Sequence, residues 1–441
     1  MSTRPKIIVL DDDPTGSQTV HSCKLLTKWD VPTIVDALTD ASPIFFLLTN
    51  TRALTPQAAA EVTRNACHNV KKALETTQTP SWMVVSRSDS TLRGHYPIET
   101  NVISEELGPF DAHFLTPAFF AGGRKTLQSI HYLTLNGVDT PVHLTEFAKD
   151  SVFAYENSYL PKYVEEKTRG EVPESQVHRF VLEDIREGKC AARLLQLTGN
   201  ACGVVDSETQ DDMDRFAADV LTVAAQGKRF LFRSAASLLT SLASLGPQPV
   251  PADKMAQYVR GGQPGVVLCG SHVKLSTRQL ELLLKEPAVE GVEVDVSALL
   301  QEGGRKALLE TTVKKMHEAF SNKRTAVVFT SRTEQTFDDS AARLDFGVRV
   351  SELLMDVVRG MPGNVGFLIS KGGITSNDVL STGLALKTSR ILGQILAGCS
   401  VVCTPPDHPQ FPNLPVVIFP GNVGGPEGLA TAYTRLSGSG A

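Results

Sequence analysis

The stretch KIIVLDDDPTGSQTV, residues 6–20, decides the fold class of this 441-residue chain. Four consecutive apolar residues, 7–10, run directly into three aspartates, and a Pro-Thr-Gly turn follows. An apolar run of this length that ends in turn residues predicts a β-strand buried on both faces, as in a parallel sheet. Ligands of open α/β sheets bind at the carboxyl ends of the strands, so the aspartates are candidate site residues.

The composition is that of an ordinary soluble globular protein. Hydrophobic residues make up 41% and charged residues 21% of the chain, and the formal net charge is −5. This balance argues against a nucleic-acid-binding protein, which usually carries a basic excess. No apolar run approaches the roughly 20 residues that span a bilayer, and no signal-peptide pattern opens the chain, so we expect a cytoplasmic protein.

Apolar runs of strand length alternate with helix-like stretches along the whole chain, of which the clearest is 209–226, with apolar residues spaced three and four apart. This alternation predicts mostly parallel sheets. The segment GPQPVPAD, residues 246–253, holds three prolines in eight residues and interrupts the pattern. We therefore predict two α/β domains with mostly parallel sheets, residues 1–245 and 263–441, separated by a linker region at 246–262.

Cysteine and histidine residues do not form a recognisable metal-binding pattern. The seven cysteines are scattered, mostly within apolar runs, which predicts reduced core thiols. No two of the ten histidines stand at the helical spacing of a zinc motif such as H-E-x-x-H. The ligands of any metal ion therefore stay unassigned.

The loop SRSDSTLRGHYPIET, residues 86–100, follows the apolar run at 82–85 and is dense in polar groups. It contains five serine or threonine hydroxyls and two arginines, together with Asp89 and His95. Arginine binds a carboxylate through two parallel hydrogen bonds, and hydroxyls and carboxylates bind polyol hydroxyls. The loop predicts a pocket for a small sugar acid; a solvated loop whose serines bond their own backbone is the alternative.

Three predicted strands in the second half end in glycine-rich turns. The run at 265–269 is followed by GSHVKLST, the run at 366–370 by KGGITSNDVL, and the run at 415–419 by PGNVGGPEGL. Glycine lets the backbone approach a ligand closely, and a following helix N-terminus favours phosphate. One such turn alone is ordinary, whereas three at corresponding strand ends predict a phosphate-binding rim, although neither a Walker A loop nor a Rossmann G-x-G-x-x-G is present.

The aspartates at 11–13 also satisfy the D-x-D-x-T pattern of haloacid-dehalogenase-like phosphatases. In that alternative, Asp11 is the nucleophile and Asp13 the acid/base. The pattern needs an acidic pair behind a later strand, but the later Asp-Asp pairs, 211–212 and 338–339, lie in helix-starting or polar stretches. Aspartates that only cap the next helix are a further alternative.

Six ordered blocks resemble the four-carbon acid sugar kinase family, and the resemblance runs essentially from end to end. The blocks are DDPTG at 12–16, TNTRAL at 49–54, DSTLRGHYPIE at 89–99, FAKDSVFAY at 147–155, KGGIT at 371–375 and FPGNVGGPEGL at 419–429. The most specific of them is the D-S-T-L-R-G block.

The resemblance implies an ATP-dependent kinase, assisted by Mg²⁺, that phosphorylates an acid such as threonate, erythronate or 3-oxo-tetronate. It implies an N-terminal acid-sugar domain and a C-terminal nucleotide domain, with the active site in the cleft between them. A non-catalytic sensor of sugar acids stays open as an alternative. We expect no nucleic-acid or membrane partner, and we leave a homo-oligomer open.

With this resemblance, the candidate residues fall into three groups. The candidate catalytic residues are Asp12 and Asp13, either of which could be the base. The candidate substrate-binding residues are Arg52, Ser88, Asp89, Ser90, Arg93, Gly94 and Arg124, with Arg93 expected to hold the substrate carboxylate. The candidate ATP-binding residues are Ser271, Lys371, Gly372, Gly373, Ile374, Thr375, Gly421, Asn422 and Gly424.

Overall fold

The structure, a computed structural model, describes residues 4–135, 137–271, 273–332, 335, 337, 339–421 and 423–438. The chain divides into two compact units, Met1–Pro247 and Gln248–Ala441. The division falls within the range predicted as a linker. Most of that range packs in the second unit, because Ala252–Tyr258 form a 3₁₀ helix whose Met255 is buried in the second core.

The first unit is built on an eight-stranded sheet in which every neighbouring pair is parallel. Three further strands form a separate antiparallel sheet. The strands of this unit are β1 (Lys6–Asp11), β2 (Cys23–Leu26), β3 (Ile44–Leu48), β4 (Trp82–Arg87), β5 (Ala112–Thr116), β6 (Arg124–Leu127), β7 (Ile130–Leu135), β8 (Val138–Pro141), β9 (His178–Phe180), β10 (Ala201–Val205) and β11 (Phe230–Ser234). The order in the large sheet is β2-β3-β1-β4-β11-β5-β10-β9, so β1 and β4 are adjacent near its middle.

Helices cover this sheet, as parallel connections require. They are α1 (Val31–Thr39), α2 (Pro56–Thr77), α3 (Ile98–Leu107), α4 (Leu160–Lys167), α5 (Leu182–Arg186), α6 (Cys190–Gln196), α7 (Gln210–Ala224) and α8 (Ser237–Ala243). The helix predicted at 209–226 is confirmed as α7. It begins with a capping box in which the side chains of Thr209 and Asp212 each accept from the other's backbone N–H.

The second unit has a seven-stranded mixed sheet. Its strands are β12 (Val266–Cys269), β13 (Val289–Val294), β14 (Thr325–Thr330), β15 (Leu368–Lys371), β16 (Thr388–Leu396), β17 (Cys399–Cys403) and β18 (Pro415–Phe419), in the order β13-β14-β12-β15-β18-β17-β16. The first five strands in that order are parallel, whereas β17 runs antiparallel to both of its neighbours. Its helices are α9 (Lys274–Leu283), α10 (Gly304–Ser321), α11 (Ser340–Arg359), α12 (Gly373–Asp378) and α13 (Gly428–Ser437).

The predicted class, α/β with mostly parallel sheets, is confirmed in both units. Each strand predicted from a continuous apolar run is present, because such runs are buried on both faces of a parallel sheet. Within the described part of the chain, no helix is both long enough and apolar enough to cross a bilayer.

Candidate functional site

Asp12 lies at the carboxyl end of β1, where the adjacent strand β4 brings Ser88 beside it. The hydroxyl of Ser88 donates to Asp12 Oδ2 at 2.7 Å. The Arg52 guanidinium donates to both carboxylate oxygens of Asp12, from Nε to Oδ2 at 3.2 Å and from Nη2 to Oδ1. Asp12 is therefore buried with both oxygens engaged, and it positions Arg52.

Asp13 is the more accessible of the two predicted catalytic aspartates, with 22% of its side chain exposed. Arg52 Nη1 donates to Asp13 Oδ2 at 3.1 Å, and the backbone N–H of Thr15 donates to Oδ1 at 2.7 Å. Burial opposes ionisation of this carboxyl, but Arg52 and then Thr15 outweigh it and hold its pKa below the usual value. Asp13 is thus an ionised carboxylate that reaches solvent at a strand end.

Asp11 has a different environment from its two neighbours, because its carboxyl is completely buried beneath Gly16. A Cβ atom on Gly16 would lie 1.8 Å from Asp11 Oδ1. Burial is the main reason that the pKa of Asp11 is raised well above its usual value. An enclosed carboxyl whose ionisation is opposed by burial is poorly suited to attack a phosphate, which argues against the phosphatase alternative.

Arg93 is held at the edge of the same site by two carboxylates and an aromatic ring. Its Nε donates to Asp89 Oδ2 at 2.8 Å, its Nη1 lies 3.6 Å from Asp150 Oδ2, and its guanidinium lies 5.0 Å from the centre of the Phe147 ring. Burial opposes ionisation of Asp89, but Arg52 and Arg93 hold its pKa well below the usual range. Arg93 keeps about a quarter of its side chain exposed and can meet a ligand.

Arg233 and Glu99 complete the network, and the sequence did not single them out as site residues. Arg233 extends from the end of β11 and donates to Ser86 Oγ at 2.6 Å, to Ser88 Oγ at 2.7 Å and to the Glu99 carboxylate. Glu99 also accepts from the Thr51 hydroxyl at 2.5 Å. An arginine directly after the apolar residues 230–232 was the available signal. This buried pair supports Ser88, and through Ser88 it supports Asp12.

The remaining predicted substrate-binding residues lie around the same loop. Gly94 has a φ of +121°, and a Cβ there would lie 2.4 Å from Ser88 Oγ and 2.6 Å from Arg233 Nη2, so this position requires glycine. Ser90 is buried, and its carbonyl oxygen lies 2.8 Å from His131 Nε2. Arg124 donates to the carbonyl of Gly122. Burial lowers the pKa of Arg124, while the nearby Asp89 raises it and Arg93 lowers it further.

A cavity of about 430 Å³ lies in the second unit, at the carboxyl ends of β12, β15 and β18. One part of its wall consists of the three glycine-rich turns predicted to form a phosphate rim: Gly270, Ser271, Gly372, Gly373, Thr375 and Gly421. Another part is largely apolar, and the sequence did not identify it: Val296, Phe337, Phe346, Val350, Leu354 and Met355. The volume and the mixed lining are those of a small-molecule site.

Hydrogen bonds join the three turns to one another. The Ser276 hydroxyl on α9 donates to Ser271 Oγ at 3.0 Å and to the Gly421 carbonyl at 3.1 Å. The N–H of Gly372 donates to the Phe419 carbonyl at 2.8 Å. The turns therefore form one connected wall.

The cavity includes most of the residues predicted to bind ATP. Six of the nine line it: Ser271, Gly372, Gly373, Ile374, Thr375 and Gly421. Lys371 and Gly424 lie outside the lining, and Asn422 lies outside the described residues. Among the described residues, no group of three His, Cys, Asp or Glu side chains is placed to hold a metal ion.

Two family models match the chain, and together they span most of it. The model described as "Sugar-binding N-terminal domain" matches residues 7–242, and the model described as "Nucleotide-binding C-terminal domain" matches residues 266–429. The chain belongs to the four-carbon acid sugar kinase family. The first match contains the Asp12–Arg52–Arg233 network, and the second contains the glycine-walled cavity, so the family's two domains coincide with the two candidate sites.

Solved structures share the fold of this family member. A Salmonella typhimurium LT2 protein, provisionally named a tRNA synthase, is 18% identical, with 98% of each chain covered and a TM-score of 0.71. A Haemophilus influenzae protein of the DUF1537 family is 15% identical, with 97% of this chain and 100% of that chain covered and a TM-score of 0.63. At these identities the likeness establishes the fold alone. No curated protein is similar enough to count as a match.

Proposed function

We propose that the protein is an ATP-dependent kinase that phosphorylates a hydroxyl group of a four-carbon acid sugar of the threonate, erythronate or 3-oxo-tetronate type. The observation that carries the proposal is the pairing, in one chain, of two sites with complementary chemistry. The first unit presents an ionised, partly exposed Asp13 among arginines, and the second presents a cavity walled by glycine turns.

The first unit supplies the groups that a small polyhydroxy acid needs. Arg93 is partly exposed, and an arginine guanidinium can bind a carboxylate through two parallel hydrogen bonds. Asp89 and Ser88 are within the same network and suit the substrate's hydroxyl groups. We assign Arg93 to the substrate carboxylate and the Ser88–Asp89 segment to its hydroxyls.

Asp13, rather than Asp12, suits the attacking hydroxyl. Both oxygens of Asp12 accept from Arg52 or Ser88 and its side chain is only 2% exposed, whereas Asp13 reaches solvent. Kinase catalysis consists mostly of positioning and charge neutralisation around an in-line transfer, for which an ionised carboxylate that accepts the hydroxyl proton suffices. Asp13 would orient the hydroxyl, while Asp12 would keep Arg52 in place.

The second unit supplies the nucleotide site. The cavity volume of about 430 Å³ fits a nucleotide, and the glycine turns allow its phosphates to approach backbone N–H groups. Mg²⁺ would supply charge neutralisation at the phosphates, whose oxygens are its principal ligands in such sites. Asp378 is the carboxylate among the described lining residues that would meet it. The predicted cleft between the domains stays a prediction.

A coupled assay of ADP release tests the proposal. Purified protein is mixed with Mg²⁺ and ATP and with each of threonate, erythronate and the 3-oxo-tetronates. A kinase forms ADP only with a matching acid, and the product carries one phosphate by mass spectrometry. Phosphate release from sugar phosphates without ATP would support a phosphatase, and thermal stabilisation by an acid without turnover would support a sensor.

Replacing Asp13 with asparagine is expected to lower kcat by roughly 100-fold, because the amide cannot accept the hydroxyl proton. The acid KM should change by less than about threefold, since Arg93 still holds the carboxylate. Steady-state kinetics measure both parameters. Asp36→Asn, the same change at an exposed position, is the control. A kcat near that of the unchanged protein would exclude Asp13 from this role.

A further inference from the structure

Lys371 is a buried lysine at the end of β15, directly before the glycine turn of the cavity. Its side chain is fully buried. Its ammonium donates to the carbonyl oxygens of Pro420 at 2.6 Å and Gly421 at 3.1 Å, and it lies 4.3 Å from the centre of the Phe419 ring. The ammonium therefore joins the turn after β15 to the turn after β18.

No carboxylate forms an ion pair with Lys371 among the described residues. The titratable groups that act on it are the thiols of Cys269 on β12 and Cys399 on β17. Burial raises the pKa of both thiols, so they are neutral near pH 7. Arg332, a further cation of this unit, donates from Nη1 to the Ser271 carbonyl at 2.7 Å, and Arg343 lines the cavity itself. Among the described residues, Lys371 is thus a buried cation that meets two carbonyl oxygens and the Phe419 ring but no carboxylate.

We propose that Lys371 is a positioning residue that holds the Gly421 turn against the Gly372 turn, and that its buried positive charge makes ATP binding dependent on its protonation. The inference rests on the proposed ATP site. Gly421 O accepts from both Lys371 and Ser276, so two donors turn this carbonyl away from the cavity that Gly421 lines. A bound triphosphate would supply the anion that a buried cation otherwise lacks.

The pH dependence follows from the burial of the amine. Burial lowers the pKa of Lys371 to about 8 in the ligand-free protein, whereas a nearby triphosphate would raise it. Below pH 8 the amine is already protonated and affinity is at its full value. Above pH 8 a proton must be taken up on binding, so the affinity for ATP falls with rising pH, by up to about tenfold per pH unit.

The test compares the unchanged protein with Lys371→Met, which keeps the length and apolar stem of the side chain but removes the ammonium. The Kd for ATP is measured by calorimetry from pH 7 to pH 9.5, with thermal unfolding as a check of folding. We expect Lys371→Met to bind ATP at least about tenfold more weakly at pH 7, with a Kd that no longer rises above pH 8. The exposed Lys387→Met is the matched control.

The outcomes separate this inference from the proposed function. If the unchanged protein does not bind ATP at any pH, the proposed nucleotide site is wrong. If it binds ATP but folded Lys371→Met has the same Kd within twofold, or the same pH dependence, the role of Lys371 is wrong and the ATP site stands. A loss of folding in Lys371→Met is resolved with Lys371→Gln, which keeps a donor and lacks the charge, and which should show the same loss of pH dependence.

Discussion

Replacing Gly373 with valine is expected to abolish measurable ATP binding while the protein keeps its fold. Gly373 lines the cavity at the first residue of α12, and a Cβ atom built on it meets no protein atom within 4 Å. The new side chain would therefore enter the space that the phosphates need. A loss of at least roughly 100-fold, or about 2.7 kcal/mol, is expected in the Kd from titration calorimetry.

The matched control is Gly363→Val. Gly363 is exposed, lies in the same unit and does not line the cavity, and a Cβ there also meets nothing within 4 Å. Both variants should unfold at temperatures close to that of the unchanged protein. An unchanged Kd for ATP in Gly373→Val would mean that the nucleotide binds elsewhere. An equal loss of affinity in both variants would mean that the loss does not depend on the position of Gly373 in the cavity wall.

Replacing Arg233 with methionine is expected to destabilise the first unit by about 3–5 kcal/mol, because Glu99 would keep a buried charge without its partner. Only 8% of the Arg233 side chain and 5% of the Glu99 side chain are exposed. Ser86 and Ser88 would also lose the donor that they share. Urea unfolding of the first unit measures the change.

Two further variants make this test specific. The double variant Arg233→Met with Glu99→Gln removes the unpaired charge and should recover part of the lost stability. Arg215→Met removes an exposed ion pair to Asp211 one helical turn away and should cost less than about 1 kcal/mol. Equal losses for Arg233→Met and Arg215→Met would show that the buried network does not stabilise the unit.

The strands that are buried on both faces could be predicted from the sequence, whereas several strands of other kinds could not. Continuous apolar runs predicted β1, β12 and β18 closely. In β13 and β16, buried residues alternate with less buried ones, so neither strand contains a continuous apolar run. The antiparallel sheet of β6–β8 was also missed, because its short strands carry several polar residues.

The candidate sites show the same division. Asp12, Ser88 and Arg93 stand in dense polar segments directly after apolar runs, and that pattern was enough to select them. Arg233 meets Glu99 across 134 positions of sequence, and no local pattern reports such a contact. The apolar part of the cavity was also not predicted from the sequence. Its residues on α11 have the pattern of ordinary core residues, and only the tertiary structure brings the glycine turns beside them.

The sequence by itself determined the α/β class, the location of the polar segments at the carboxyl ends of strands, and the membership of the family. Each of these follows from local patterns of apolar and turn residues. Only the tertiary structure decided which of three consecutive aspartates is enclosed, which is saturated by Arg52 and Ser88, and which reaches solvent. It also decided that the Lys371 ammonium binds the carbonyls behind the turns. Burial and hydrogen bonding depend on groups that come together from distant parts of the chain. Burial and hydrogen bonding in turn set the ionisation and the solvent exposure of each side chain.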